Sequence, residues 1–328
     1  MSKNKKKLFI ITGVAGMVGS TLLPKMLSKK NSIVVGIDNF RLGKHKFIKK
    51  FLNNKNFYFL KADLDKKINN PKFKKILKSY KLEEVWLLAA NSDILAGVNN
   101  PEVDYKDTFL TTFNFVNLLK PFLNDSTKLI FTSSSAIYGN VGSVIHEKSS
   151  PLMPESNYGA MKLAMEGYIS AYSFSNKVKS FIFRFPNVIG TNLTHGVIYD
   201  LSRKILSPAK YLKVLGNGEQ CKPYSSAKEV IDCMMYFIKI KNSNLVNFYN
   251  IGTSDKGVKV KEIVRLLIKK FDYKKKIVFE KKISGWKGDI PTYSYSTKKI
   301  NKLGYRFKLN SLKTIKETIN NISKKTLF

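Results

Sequence analysis

The sequence predicts an α/β fold with a doubly wound parallel sheet, and three features of the chain support this prediction. Short apolar runs alternate with amphipathic segments through the first half of the 328 residues. The segments between these runs are long enough for crossover helices, which parallel strands require. A glycine-rich turn directly follows the first apolar run, at the place where such folds bind ligands.

The strands of the predicted sheet are six apolar runs bounded by polar or turn-forming residues. They cover residues 8–12, 33–37, 57–60, 85–88, 129–132 and 180–185. The clearest helices have apolar residues at three- and four-residue intervals and cover residues 17–29, 103–123 and 158–174.

After Pro186 the pattern is less regular. It indicates helices near residues 196–206 and 258–271, a strand at 248–251 and a loop at 285–291. We therefore predict a main domain over residues 1–187, with a return to it near residues 221–251. Residues 188–328 are predicted to form mainly a smaller C-terminal lobe.

The formal net charge of +35 raises the possibility of a nucleic-acid-binding protein. The lysines are spread along the chain instead of clustered, so we expect no specific nucleic-acid binding. No run of 18 or more uncharged apolar residues occurs, and we expect a cytoplasmic protein without a membrane span. Two cysteines and three scattered histidines predict neither a disulfide framework nor a metal site.

The turn after the first run has the spacing of a Rossmann-type dinucleotide site, with glycines at Gly13, Gly16 and Gly19. Such glycines allow a tight turn and a close approach of the backbone to a pyrophosphate. The helix that follows offers free amides and a favourable dipole. A glycine-rich turn of some other α/β protein is the alternative interpretation.

Asp38 ends the second strand, nineteen residues after Gly19. A carboxylate there can bind the adenosine ribose hydroxyls and repel a 2′-phosphate, so NAD is predicted over NADP. Arg41 and Lys44 follow closely and leave a phosphate-accommodating alternative open.

Tyr158 and Lys162 lie at the start of a predicted helix, and their spacing of four places both side chains on one face. A nearby ammonium stabilises a phenolate, so this tyrosine is predicted to exchange a proton with a substrate hydroxyl near neutral pH. Ser134, after the fifth predicted strand, offers a hydroxyl to complete the set.

Taken together, these motifs resemble the extended short-chain dehydrogenase/reductase family, in particular the NAD-dependent nucleotide-sugar epimerase and dehydratase group typified by UDP-galactose 4-epimerase. The similarity covers nearly the whole chain. It also includes the strand end at Leu88, Ala89 and Ala90, the segment Arg184, Phe185, Pro186 and Asn187, and the pair Gly288 and Asp289.

The resemblance implies NAD as cofactor and a nucleoside-diphosphate sugar as substrate. Tyr158 would be the general base, Lys162 would bind the nicotinamide ribose, and Ser134 would bind the reacting hydroxyl. The implied cofactor contacts are Gly13, Ala15, Gly16, Met17, Val18, Asp38, Asn39, Asp63, Leu64, Ala89, Ala90, Thr132, Tyr158, Lys162 and Phe185. The implied substrate contacts are Ser134, Ser135, Asn187, Lys222 and Trp286.

Two of these assignments have alternatives. Asp63 would equally suit a simple strand end, and Trp286 would either stack on a base or fill the interface between the lobes. Lys222 and Trp286 stand where relatives commonly have arginine, and Thr108 stands where they have asparagine.

Dehydratases of the family have an Asp-Glu pair directly after the catalytic hydroxyl residue, whereas this chain has Ser135 and Ala136. Epimerisation through a 4-keto sugar is therefore predicted, and 4,6-dehydration is disfavoured. A one-way C4 dehydrogenase or ketoreductase and a non-catalytic nucleotide-binding regulator are the alternatives. The resemblance also implies a homodimer through residues 103–123 and 158–174, although the apolar faces of these helices would equally suit a core.

Overall fold

The predicted apolar runs form one parallel sheet in the computed structural model, which describes residues 5–142, 144–285 and 289–327. The described strands in chain order are β1 (Lys7–Thr12), β2 (Ser32–Asp38), β3 (Phe57–Lys61), β4 (Lys81–Leu87), β5 (Lys128–Ser134), β6 (Val144–Ile145), β7 (Lys179–Phe185), β8 (Asn187–Ile189), β9 (Tyr211–Val214), β10 (Cys221–Lys222), β11 (Tyr224–Ser226), β12 (Val246–Asn250), β13 (Val258–Lys259), β14 (Lys276–Phe279) and β15 (Ser294–Tyr295).

The main sheet has the strand order β12-β7-β5-β4-β1-β2-β3 within the described residues, and all of its pairs are parallel. The chain runs outward from β1 to β3, then returns to β4 and continues in the other direction. This reversal opens a crevice between the carboxyl ends of β1 and β4, where doubly wound sheets bind ligands. The predicted fold class and the six predicted strands are confirmed.

The helices lie between the strands as crossovers and in the C-terminal part. In chain order they are α1 (Met17–Leu27), α2 (His45–Ile48), α3 (Pro71–Ser79), α4 (Ile94–Asn99), α5 (Pro101–Asp104), α6 (Thr111–Leu119), α7 (Asn157–Asn176), α8 (Val197–Ile205), α9 (Ala227–Phe237), α10 (Val260–Phe271), α11 (Lys298–Lys302), α12 (Ser311–Asn321) and α13 (Lys324–Leu327).

Two predicted helices differ from the observed ones. The segment predicted at 103–123 begins earlier, at Pro101, and contains a π-helical turn, Tyr105–Leu110, between α5 and α6. The segment predicted at 258–271 begins as β13, because Val258 and Lys259 pair with Lys222 and Cys221 before α10 starts. Periodicity alone does not reveal such pairing with a distant strand.

Alternation along β1 explains how the sheet builds two cores. Phe9 and Ile11 pack on one face together with α1 and α9, whereas Leu8 and Ile10 pack on the other with α3, α6 and α7. Both faces of the strand are covered, as expected for a parallel sheet between two helix layers. A separate cluster in the C-terminal part joins α8, α10 and α12.

No helix among the described residues has the length and apolar character needed to cross a membrane. The division of the chain at residues 187 and 188 into a cofactor domain and a mainly substrate-binding lobe remains a prediction.

Candidate active site

The glycine-rich turn lies directly beside the end of β4. Gly13 has a φ of +66°, and a Cβ atom at this position would lie 3.0 Å from the Cα and N of Ala89. The Thr12 hydroxyl fastens the two segments, because it accepts from the amides of Leu88 and Ala89 at 3.0 and 3.1 Å. The predicted contacts Gly13, Ala89 and Ala90 thus come from one edge of the crevice.

The start of α1 faces this edge and can hold a phosphate. Gly16 is its N-cap, and within the described chain no side chain caps the helix and no acidic residue occupies its first turn. Met17 and Val18 form that first turn. Free helix amides without a competing carboxylate fit the pyrophosphate of a dinucleotide.

Asp38 lies under the glycine-rich turn and is only 7% exposed. Its carboxylate accepts from the amides of Ala15 and Phe40 at 2.9 and 2.8 Å. Burial raises the pKa of Asp38, while these backbone hydrogen bonds lower it. The carboxylate is therefore held rigidly at the end of β2, with oxygen lone pairs left for ribose hydroxyls.

Next to it, Arg41 is held by two carboxylates. Its guanidinium donates to Asp63 at 2.7 Å and also to Asp107, and Asn39 donates to Asp63 at 2.8 Å. Burial raises the pKa of Asp63, but the Asn39 hydrogen bond and the Arg41 charge outweigh burial and the net shift is downward. Because Arg41 is already balanced by negative charge, it is poorly suited to bind a 2′-phosphate. Leu64 follows this cluster and is buried.

The predicted catalytic residues converge at the carboxyl end of β5. Helix α7 begins after Ser156, whose hydroxyl accepts from the Gly159 amide at 3.1 Å. Ser134 ends β5, and its hydroxyl lies close enough to Tyr158 to lower the pKa of the phenol. Lys162 is 2% exposed, and its Nζ donates to the Thr132 carbonyl at 2.7 Å.

A close approach of α7 to the turn after β5 makes this convergence possible. A Cβ on Gly159 would lie 2.4 Å from the Ala136 carbonyl oxygen, so only glycine allows this contact. The Nζ of Lys162 then lies 5.7 Å from the centre of the Tyr158 ring. The predicted set of Ser134, Tyr158 and Lys162 is thus brought together in one place.

The electrostatics of this pair differ from the expectation. Burial raises the pKa of Tyr158, the Asp104 charge raises it further, and only the Ser134 hydrogen bond lowers it. Burial also lowers the pKa of Lys162 to about 7, although Glu166 and Asp104 oppose this shift. These directions give no support to the prediction that a nearby ammonium lets this tyrosine exchange a proton near neutral pH, because burial is the largest cause of the Tyr158 shift and it raises the pKa.

Sequence reasoning did not identify Tyr293, which lies beside the turn after β5. The Ser135 hydroxyl donates to the Tyr293 hydroxyl at 3.4 Å, which brings the segment before β15 beside the catalytic turn. Burial raises the pKa of Tyr293 to about 12, so it is a neutral hydroxyl group at neutral pH. No local pattern around Tyr293 indicates a contact with a residue 158 positions earlier.

The remaining predicted substrate contacts are more dispersed. The Asn187 side chain donates to the Pro223 carbonyl at 3.3 Å, and Lys222 forms an ion pair with the buried Asp289. Phe185 packs against the core on the α1 face of the sheet. Trp286 lies outside the described residues.

Among the described residues, no group of three or more His, Cys, Asp or Glu side chains is placed to hold a metal ion.

Comparison with known proteins gives one family and several relatives. The model of the NAD dependent epimerase/dehydratase family matches residues 9–252. A putative UDP-glucose 4-epimerase of Methanocaldococcus jannaschii is 26% identical over 318 residues, which cover 95% of this chain and 97% of the relative. UDP-glucuronic acid decarboxylase 1 of Xenopus tropicalis is 24% identical over 261 residues, covering 77% and 58%.

Among solved structures, UDP-glucuronic acid 4-epimerase of Bacillus cereus, in complex with UDP-glucuronic acid and NAD, matches with a TM-score of 0.83. The match covers 98% of this chain and 100% of that chain at 23% sequence identity. At this identity the likeness shows a shared fold.

Proposed function

This chain belongs to the NAD-dependent epimerase/dehydratase family, and from this membership we propose that it epimerises a nucleoside-diphosphate sugar at C4 through a 4-keto intermediate. The observation that carries the proposal is the convergence of Tyr158, Lys162 and Ser134 beside the crevice between β1 and β4. The glycine-rich turn after β1 and the proton-transfer group at the end of β5 lie at the same carboxyl edge of the parallel sheet, as reversible oxidation of an alcohol by a bound dinucleotide requires.

The cofactor proposal rests on the fit of the crevice to NAD. The turn Gly13–Gly16 and the first turn of α1 would bind the pyrophosphate, Asp38 the adenosine ribose, and Asp63 with Leu64 the adenine side. Ala89, Ala90, Thr132 and Phe185 would line the nicotinamide end, where Lys162 would hold the second ribose. Bound NAD supplies the hydride acceptor and donor that the chain itself lacks.

The proposed chemistry of the side chains is a proton shuttle. The Tyr158 phenolate takes the proton of the C4 hydroxyl as the alcohol is oxidised to the ketone. After the 4-keto sugar has rotated in the site, the phenol returns the proton to the keto oxygen. Ser134 donates a hydrogen bond to the same oxygen and fixes its distance from Tyr158. Asn187 and Lys222 are proposed to bind the diphosphate side of the substrate, and Trp286 its base.

The turn after Ser134 favours epimerisation over elimination. Ser135 donates to Tyr293, and Ala136 carries no proton-transfer group. Loss of water next to a 4-keto group needs an acid and a base, and Ser135 and Tyr293 supply two neutral hydroxyl groups instead.

A homodimer is part of the proposal. The helical segment Pro101–Phe122 and α7 carry an aromatic strip, in which neighbouring ring centres are 4.8–6.3 Å apart. The strip consists of Tyr105, Phe109, Phe113, Tyr168 and Tyr172. Because Tyr105 is 46% exposed at its end, a second copy packing helix against helix would remove apolar surface from water.

The function is tested on the purified full chain. Native mass spectrometry first identifies bound NAD and the oligomeric state. Incubation with UDP-glucose, UDP-GlcNAc, UDP-glucuronate and GDP-linked sugars, followed by proton NMR at C4, is expected to show exchange between the two C4 configurations for one of them.

Three outcomes would contradict the proposal. Absence of C4 exchange with all of these substrates, despite bound NAD, would count against epimerisation. Release of NADH in proportion to product would indicate a one-way dehydrogenase, and a 4-keto-6-deoxy product would indicate a dehydratase.

Asp38→Asn tests the choice of cofactor. The variant removes the negative charge that faces the ribose and one acceptor for the Ala15 or Phe40 amide. We expect NAD affinity to fall about tenfold, and the preference for NAD over NADP to narrow by a similar factor. Isothermal titration with both cofactors measures this ratio.

Glu102→Gln is the matched control, since it removes an exposed carboxylate that pairs with Lys106 and contacts neither Arg41 nor the glycine-rich turn, and its NAD-to-NADP ratio is expected to match that of the parent protein. If the ratio of the NAD and NADP affinities is unchanged in Asp38→Asn, Asp38 does not determine the preference for NAD.

A further inference from the structure

A buried polar cluster lies behind the end of β4, and the proposed mechanism does not use it. Asn91 bridges two residues one helical turn apart, because its side-chain amide donates to Asp104 at 2.7 Å and its backbone amide donates to Thr108 at 3.1 Å. Asp104 and Thr108 are 0% exposed. The π-helical turn Tyr105–Leu110 begins directly after Asp104, and such turns are frequent at functional sites.

One oxygen of Asp104 has no hydrogen-bond partner in the described chain. Its Oδ2 is fully buried and faces Gly97 of α4, where a Cβ atom would lie only 1.7 Å away. The carbonyl of the same Gly97 accepts from the Asn157 side chain at 3.0 Å, next to Tyr158. The unpartnered oxygen therefore lies where α4, α5 and the start of α7 meet.

Lys162 is a buried cation that forms no ion pair within the described chain, just as Asp104 is a buried carboxylate with an unpartnered oxygen. Its Nζ donates to the Thr132 carbonyl, and the aromatic rings of Phe131 and Tyr158 lie 4.8 and 5.7 Å away. Glu166, one turn later on α7, is bound by the Arg184 guanidinium through both carboxylate oxygens. Asp104 is consequently the carboxylate left to balance the Lys162 charge.

We propose that Asp104 is a positioning residue whose buried negative charge keeps Lys162 as an ammonium ion and sets the pH range in which Tyr158 exchanges its proton. This inference rests on the proposed function, in which Tyr158 and Lys162 act as a pair. Asp104 itself touches neither cofactor nor substrate in this proposal.

The charged groups around Lys162 and Tyr158 determine in which direction Asp104 shifts their pKa values. Two of these groups are carboxylates on the short helices, Asp93 at the start of α4 and Asp104 on α5. The others lie on α7, which carries Tyr158, Lys162 and Glu166, and on β7, which carries Arg184. Burial and the Asp93 charge raise the pKa of Asp104. The Asn91 hydrogen bond and the Lys162 charge lower it. A negative Asp104 raises the pKa of both Lys162 and Tyr158, so removal of its charge lowers both.

The test reads the protonation of Tyr158 directly. A fluorinated tyrosine with a more acidic phenol is introduced at position 158 of the full chain, and its ionisation is followed by ¹⁹F NMR as a function of pH. In the Asp104→Asn variant we expect the phenol to titrate about one pH unit lower than in the parent protein. Asp104→Ser, which removes the charge with less volume, is expected to give the same shift.

Two further variants separate a charge effect from a structural one. Glu102→Gln removes an exposed carboxylate two residues away that pairs with Lys106, and it is expected to leave the titration unchanged. Asp104→Glu keeps the charge and is expected to restore the parent titration. In the epimerase assay, both limbs of the pH profile of Asp104→Asn are expected to move to lower pH.

An unchanged phenol titration in Asp104→Asn and Asp104→Ser would overturn the proposal, because Asp104 would then carry no charge that reaches the pair. An equal shift in Glu102→Gln would overturn it as well. The titration requires no sugar substrate, so a failure of the epimerase proposal leaves this result interpretable.

Discussion

Replacing Tyr158 by phenylalanine is expected to lower the rate of C4 epimerisation about 10³-fold while NAD stays bound. Proton transfer by a positioned side chain contributes roughly 10²–10⁴-fold to the rates of enzymes that use it. The phenol oxygen is hydrogen-bonded to Ser134 and lies next to Lys162, so its removal leaves the C4 hydroxyl without an acceptor for its proton.

The size of this effect follows from the burial of the site. Lys162 is 2% exposed and Tyr158 is partly buried, so few water molecules can reach the proton path and take the place of the phenol. The loss should therefore appear in kcat. KM should change little, since the residues proposed to bind the diphosphate and the base are other ones.

Tyr172→Phe is the matched control for this variant. Tyr172 lies on the same helix α7, is 7% exposed and packs in the core between α7 and the sheet. The Tyr172→Phe variant also loses one phenol oxygen, and we expect its epimerisation rate to stay close to that of the parent protein. NMR at C4 measures the rate and native mass spectrometry the bound NAD; a fully active Tyr158→Phe would remove Tyr158 from the mechanism.

The fold was predictable because its signals are local. Each strand of the first half is a short apolar run, and β1 shows the alternation between two cores in its own side chains. The dinucleotide site at the glycine-rich turn and Asp38 was likewise predicted from the spacing of residues along the chain. In the structure the Ala15 amide of this turn donates a hydrogen bond to Asp38.

The parts of the site that depend on distant contacts were not predictable. Arg41 carries a positive charge that suits a phosphate, and only the folded chain shows that Asp63 and Asp107 hold it. Asp104 appears in the sequence as one polar residue of an amphipathic helix. Its functional interest comes from burial and from Asn91, thirteen residues earlier.

The protonation of the catalytic pair also depends on more than sequence spacing. Two residues four apart on a helix predict an acidic phenol if only their mutual interaction is counted. Packing of α7 against β5 buries Lys162 fully and Tyr158 partly, and burial opposes the charged form of each. Burial is the largest cause of both shifts, and the charge of Asp104, which lies on another helix, adds to the shift of Tyr158 and opposes that of Lys162; no motif identifies either effect.

The second large effect concerns stability and the ion pair between Arg184 and Glu166. Both side chains are 8% exposed, and the guanidinium donates to the two carboxylate oxygens at 2.9 and 2.5 Å. Arg184 also donates to the Tyr138 hydroxyl at 2.8 Å, which in turn donates to Asn250 on β12. This network joins α7 and β7 to the outer strand of the sheet, and Glu166 lies one helical turn after Lys162.

Replacing Arg184 by methionine is expected to lower the free energy of unfolding by about 3–5 kcal/mol, because Glu166 is left as an unpaired buried charge. Urea unfolding measures the difference. The double variant Arg184→Met with Glu166→Leu removes both charges, and we expect it to be more stable than Arg184→Met alone, since the cost arises from the unpaired charge and not from the lost pair.

Glu102→Gln is the control for the charge change, because Glu102 pairs with Lys106 on the surface and its replacement should leave stability unchanged. If the double variant is as unstable as Arg184→Met, the hydrogen bond from Arg184 to Tyr138, and not the charge of Glu166, stabilises this part of the sheet. In that case Tyr138→Phe should reproduce most of the loss.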